Sequence, residues 1–143
     1  MIQTTYFGGK VLKCSLPIFQ GAPPADALGP KRLALPQGEL ANFYDGAEGI
    51  RYIAGLELRS GTVRGNHWHE IKEEQLYILS GSLLLVVQER ESGLRENIEM
   101  QPGDLALIMP GIAHAMKTLA SGYGVEFSRN KFNPADVQRL AII

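Results

Sequence analysis

The chain has 143 residues, 16 of them Gly and 8 Pro, a density of turn-forming residues that argues against a helical bundle. The length gives one domain with a real core and leaves no room for a two-domain enzyme. Fourteen Lys and Arg against fifteen Asp and Glu leave a net charge of -1, which provides no global attraction to nucleic acid or anionic lipid, so a small molecule is the expected partner. The single Cys14 cannot form an internal disulfide and reads as a packing residue. No apolar run approaches the ~18 residues of a membrane span, and the N-terminus lacks the apolar stretch of a secretion signal. A soluble, cytoplasmic protein is expected.

Residues 1–30 read as an arm and a loop, and residues 31–143 as the main domain. Lys10–Phe19 has the pattern of an edge or arm strand, of the kind that pairs with a second copy, so a homodimer is the expected assembly. The stretch Gly21–Pro30 is a loop, because its prolines lack a donor and fix φ. From Lys31 onward, short apolar segments recur about every ten residues. Candidate strands are Leu33–Leu35, Leu40–Tyr44, Ile50–Arg59, Gly65–His69, Gln75–Leu79, Leu83–Glu89, Ile98–Met100, Leu105–Met109, Ala113–Leu119 and Gly124–Ser128. Ser60-Gly61, Ser80-Gly81, Ser92-Gly93, Pro102-Gly103 and Pro110-Gly111 supply the reversals between them. The pattern is an all-β sandwich or barrel. Asn133-Pro134 predicts one short C-terminal helix, running through about Leu140.

The three histidines occupy two places, His67 and His69 in RGNHWHEIKEE and His114 in PGIAHA. Residues two apart on a strand project to one face, so His67 and His69 present two imidazoles together while Trp68 turns away. Buried in a barrel, both need a metal or hydrogen-bond partners. A carboxylate follows at Glu70, Glu73 or Glu74. Strand parity favours Glu73 if the strand runs straight on and Glu74 if a turn intervenes. Glu70, Lys72 and Glu73 also suit a solvated hairpin tip. By parity Arg64 and Asn66 lie one residue off the histidine face, where Arg64 reaches a substrate phosphate or carboxylate only from the rim.

The spacing from Gly61 through His67, His69 and Glu74 to Gly81 matches the first motif of the cupin superfamily, and Gly103, Gly111 and His114 follow the second. Met109 stands where that second motif has proline, and Thr118 where it has asparagine. This resemblance, over about Leu33 to Ser128, implies a double-stranded β-helix, or jelly-roll, barrel with His67, His69, Glu74 and His114 around one divalent transition metal such as Zn, Ni, Fe or Mn. An N3O donor set of this kind suits those ions and leaves positions open for water or substrate. Arg64–His69, with Lys72, Glu74, Ser80-Gly81, Pro110-Gly111, His114, Asn130, Phe132 and Pro134, resembles the C-terminal cupin domain of capsular polysaccharide enzymes that reduce and epimerise nucleotide sugars. Arg64-Gly65 before His67 is also similar to the RGxH stretch of nucleotide-sugar 3,5-epimerases. Those are usually metal-free and use the histidine as base and the arginine for substrate. The resemblance thus implies a keto-sugar isomerase or epimerase, with Arg64 and Asn66 as substrate-binding candidates. With His67 a ligand, the base falls to Glu74, a hydroxide, Tyr52 or Tyr77. A metal-dependent oxygenase and a non-catalytic ligand-binding module are the alternatives.

Overall fold

A computed structural model describes residues 1–143. Twelve strands form: β1 (Ile2–Tyr6), β2 (Val11–Ser15), β3 (Ile18–Gln20), β4 (Lys31–Leu35), β5 (Gly38–Asn42), β6 (Tyr52–Leu58), β7 (Val63–His69), β8 (Glu74–Glu89), β9 (Arg95–Met100), β10 (Asp104–Ile108), β11 (Ile112–Ser128) and β12 (Val137–Arg139). β8 and β11 each fuse two of the expected strands. The Ser80-Gly81 pair is a bend inside β8 rather than a hairpin, and there the strand crosses from one wall to the other. Gly81, at φ 78°, lies against the backbone of Ala120 and Ser121, so only a glycine lets the two long strands stay paired through the bend.

The resulting walls are those of a jelly roll. One contains β1, β2, β10, the first half of β8, the second half of β11 and β6; the other contains β9, the second half of β8, the first half of β11, β7 and β12. β2 pairs with β10 of its own chain, from Asp104↔Ser15 to Ile108↔Val11, and β1 lies outside it as the sheet edge. A separate three-stranded sheet, β3-β4-β5, flanks the Gly21–Pro30 loop, which joins β3 to the parallel β4.

Alternation fills the space between the walls. Leu76, Ile78, Leu83, Leu85, Val87 and Ile108 join a core of fourteen buried residues, whose Val, Leu, Ile and Met side chains each contribute about 1.5–3 kcal/mol by leaving water. The opposite face of the first wall carries Tyr77 and Phe127, covered by Phe43 and Tyr44. Phe43 stacks on Tyr77 at 4.4 Å between ring centroids. Tyr77 therefore lies outside the barrel interior. No helix is long and apolar enough to cross a membrane.

The expected C-terminal helix does not form. Asn133 does cap, its side chain accepting a hydrogen bond from Ala135 N at 3.0 Å, but only a 3₁₀ turn, Pro134–Asp136, follows. Val137 is extended, and β12 pairs with β7 through Val137↔His69, Gln138↔Trp68 and Arg139↔His67. An open strand edge offered more hydrogen bonds to this segment than a few residues of helix would, and tertiary pairing won over the local signal.

Candidate metal centre

A β-bulge sets the geometry of β7. His67 pairs with His114, but Gly65 pairs with the next residue, Ala115, so Asn66 is an extra residue. Both Gly65 (φ 93°) and Asn66 (φ 56°) adopt left-handed backbone. At Gly65 a Cβ would lie 2.9 Å from His114 O, so the close approach of β7 to β11 requires glycine. The bulge reverses the parity expected for Arg64. Arg64 pairs with the core residue Met116, which places it on the histidine face rather than one residue off. Asn66 turns to the C-terminus, where its Oδ1 accepts from Ile142 N at 2.8 Å and Ile143 N at 3.1 Å and its Nδ2 donates to Ile143 O. The structure does not bring Asn66 to the cavity. Trp68 turns away as expected, with the Arg90 guanidinium 3.5 Å above its ring.

The loop between β7 and β8 decides between the carboxylates. Asp136 accepts from the backbone N–H groups of Glu70, Ile71 and Lys72 at 3.0, 3.1 and 3.0 Å, which folds the loop tightly. Those bonds hold the Asp136 carboxyl below its ordinary range despite the opposing effect of burial. The chain then enters β8 with Glu74, Leu76 and Ile78 facing inward. Glu73 points the other way, in a two-pronged pair with Arg129 at 2.6 and 2.7 Å. Lys72 and Glu73 are buried, not a solvated tip, and Glu70 alone of the three is exposed.

His67, His69, Glu74 and His114 come together, with one donor atom from each lying within 4.8 Å of all the others. His69 Nε2 is 3.1 Å from Glu74 Oε1, and His67 Nε2 is 3.8 Å from the same oxygen. His114 Nε2 lies 2.6 Å from Glu74 Oε2, in an approach not aligned for a hydrogen bond. The Nδ1 of His114 donates to Ile112 O at 3.1 Å, which turns the other ring nitrogen toward the cluster. Burial opposes ionisation of both Glu74 and His114. Their mutual attraction, with the other imidazoles, nonetheless holds the Glu74 carboxyl well below its usual range and raises His114.

A cavity of about 240 Å³ opens over the cluster on the side of His67, and Tyr52, Arg64, Glu126, Phe132 and Arg139 line it. Glu126 pairs across from Leu76 and shares its inward face. Lys72 Nζ lies 3.3 Å from Glu74 Oε1, 3.5 Å from Glu126 Oε1 and 4.4 Å above the Tyr52 ring. Burial, and then the negative charge of Glu74, push the Glu126 carboxyl up to about 7 against the pull of Lys72.

Residues 56–126 match the cupin domain family. The chain contains a cupin domain. Its fold is shared with an rmlC epimerase of Mycobacterium tuberculosis (13% identity, TM-score 0.74, covering 99% of this chain and 74% of that one). A dTDP-6-deoxy-D-glucose-3,5-epimerase of Legionella pneumophila, solved with dTDP-4-keto-L-rhamnose, is similar at 10% identity and TM-score 0.75, covering 99% and 78% of the two chains. So is a sugar 3,4-ketoisomerase of Thermoanaerobacterium thermosaccharolyticum in complex with TDP, at 18% identity and TM-score 0.65, covering 78% and 84%. No curated protein matches the chain in sequence.

The cupin's cluster fits a transition metal. His67 Nε2 and His114 Nε2 are buried without a hydrogen-bond partner and converge on one carboxylate, a costly arrangement unless a cation accepts their lone pairs. His69 Nδ1, also without a hydrogen-bond partner, faces Asp136 Oδ2 at 3.7 Å, beyond hydrogen-bond reach but on the side from which carboxylates steady metal-binding imidazoles. Sequence reasoning missed Glu126, Arg139 and Asp136. The signal for Glu126 was present, a carboxylate at an inward position of the Gly124–Ser128 strand. Arg139 carried no such signal, because its segment read as helix.

Proposed function

We propose that this cupin is a mononuclear metal-binding isomerase or epimerase that moves a proton next to the carbonyl of a keto sugar. The observation that carries the proposal is the convergence of His67, His69, Glu74 and His114 at the floor of a small open cavity. When bound there, a divalent ion such as Zn, Ni, Fe or Mn supplies Lewis acidity for negative charge developing on a carbonyl oxygen. The fold shared with sugar epimerases and a ketoisomerase supports the same reading. At about 240 Å³ the cavity is smaller than the ~300–1,000 Å³ of typical ligand pockets, which suits one sugar ring with any nucleotide left outside.

The protein's own groups supply the rest. Glu126 is the cavity carboxylate outside the metal cluster, and we assign it the proton transfer, with Lys72 fixing its orientation. Tyr52, the remaining hydroxyl at the cavity, is placed to hydrogen-bond the substrate. Phe132 and Val137 form the apolar part of the wall and limit water entry. Tyr77 takes no part, since it packs outside the barrel.

Purified protein incubated with 4-keto sugar nucleotides in heavy water is expected to incorporate deuterium at the ring carbon beside the ketone. Elemental analysis of the same sample is expected to give one divalent metal per chain. Glu126→Gln should keep the metal and lose at least tenfold of the exchange rate. No exchange above buffer across the panel, or iron accompanied by substrate-dependent oxygen uptake, would overturn the proposal.

A further inference from the structure

The two arginines at the cavity mouth are charged groups without counter-ions. Arg64 donates to Glu57 O at 2.9 Å and Arg139 to Gly65 O at 3.4 Å, and neither lies within 4.0 Å of a carboxylate. Of the six other arginines, Arg32, Arg59 and Arg129 each pair with a glutamate, and none of the six lines this cavity. Both arginines line the same cavity. Arg139, on β12, pairs with His67 of β7 and donates to the carbonyl of Gly65, the residue next to Arg64. Two positive charges lining one small cavity repel each other unless an anion joins them. The β7 bulge brings Arg64 to the inward face, and the Asn66 amide ties down the strand end that carries Arg139.

The carboxylates of the cavity cannot answer this charge. Glu74 is committed to the three imidazoles and Glu126 to Lys72. Counting Arg64, Arg139 and Lys72, which bridges the two carboxylates from behind the cavity, against Glu74 and Glu126, the site is positive before any metal adds to it. Guanidinium forks bind planar oxyanions in two-pronged fashion, and a partly enclosed mouth strengthens the contact.

We propose that Arg64 and Arg139 form a clamp for an anionic oxygen group on the substrate, a carboxylate or a phosphate attached at the ring held in the cavity. The inference rests on the keto-sugar reading for the identity of the ring but not for the existence of the clamp. It assigns to Arg139 a specificity-determining role that sequence did not suggest, and gives Arg64 a partner in its own.

Calorimetric titration of the purified full-length protein with D-galacturonate, glucose 1-phosphate and glucose at low ionic strength tests the clamp directly, with no turnover involved. One of the two anions is expected to bind one to one, at least tenfold more tightly than glucose. Tighter galacturonate assigns the carboxylate and tighter glucose 1-phosphate assigns the phosphate. Arg64→Gln and Arg139→Gln should each weaken that anion at least tenfold and leave bound metal unchanged, and Arg139→Lys should recover part of the loss. Two variants on different strands keep the test usable if one of them folds poorly. Anion affinity no greater than that of glucose, or affinity unchanged in both glutamine variants, would overturn the clamp. Either result leaves the metal content and the deuterium exchange untouched, so failure here is separable from failure of the isomerase reading.

Discussion

Glu73 and Glu74 are adjacent, chemically identical and both buried, yet they have opposite partners. Glu74 meets three imidazoles, and Glu73 meets the Arg129 guanidinium. A conservative change therefore separates their roles. Glu74→Gln removes the anionic donor and is expected to abolish stoichiometric metal, read by elemental analysis after dialysis. Glu73→Gln should retain the metal and cost about 1.5–3 kcal/mol of stability, the usual worth of hydrogen bonds to a charged group, read by urea unfolding. The opposite pattern would mean that Glu74 is not the donor. Parity could not choose between the two residues, because the choice is made by a loop whose fold depends on Asp136, sixty-six residues beyond Glu70.

At the level of elements, the β7 bulge and the C-terminal strand build one structure. The bulge inverts parity between His67 and Arg64, and the extra residue it creates, Asn66, holds the chain end in place. Gly65→Ala puts a Cβ 2.9 Å from His114 O in left-handed backbone. It is expected to destabilise by at least about 1–2 kcal/mol and to weaken metal binding, because His114 must shift to relieve the contact. Gly55→Ala is the control. Its Cβ would meet nothing within 4 Å, and the change should stay within about 0.5 kcal/mol of wild type. Equal behaviour of the two variants in melting and metal titration would contradict the role given to the bulge. The helix expected after Asn133 failed for a related reason. The cap is read from neighbouring residues, whereas the strand that replaced it depends on β7, which lies about seventy residues earlier.

For the whole molecule, two buried imidazoles, a third half-buried at the cavity wall and a buried carboxylate at one point are a source of instability when no cation joins them. Metal binding should therefore stabilise the barrel as a unit. At a free metal concentration one hundred times the Kd the gain is about 2.7 kcal/mol, or about 5–10 °C in Tm for a chain of this size. Scanning calorimetry after chelation and after restoring a divalent ion measures it, and an unchanged Tm would argue against metal occupancy of the cluster. The barrel itself was well predicted by the sequence. Glycines at the turns and alternating apolar residues depend only on local steric and solvation rules, so both the strands and the all-β class were legible. Their joining into two long bent strands was not, because a Ser-Gly pair makes a hairpin or a bend according to what packs against it.

By itself, the sequence determined the all-β class and put His67, His69 and His114 forward as donors, since turn chemistry and strand alternation are properties of the chain in one dimension, while the jelly roll and the choice of Glu74 were implied by the resemblance of its motif spacing to the cupin superfamily. Tertiary structure alone decided that Arg64 shares the histidine face, that Asn66 does not, and that Arg139 lines the same cavity as Arg64. Each of these depends on which strand lies beside which and in what register. A single inserted residue in a strand reverses every side chain beyond it, and local composition does not reveal where that residue will be accommodated.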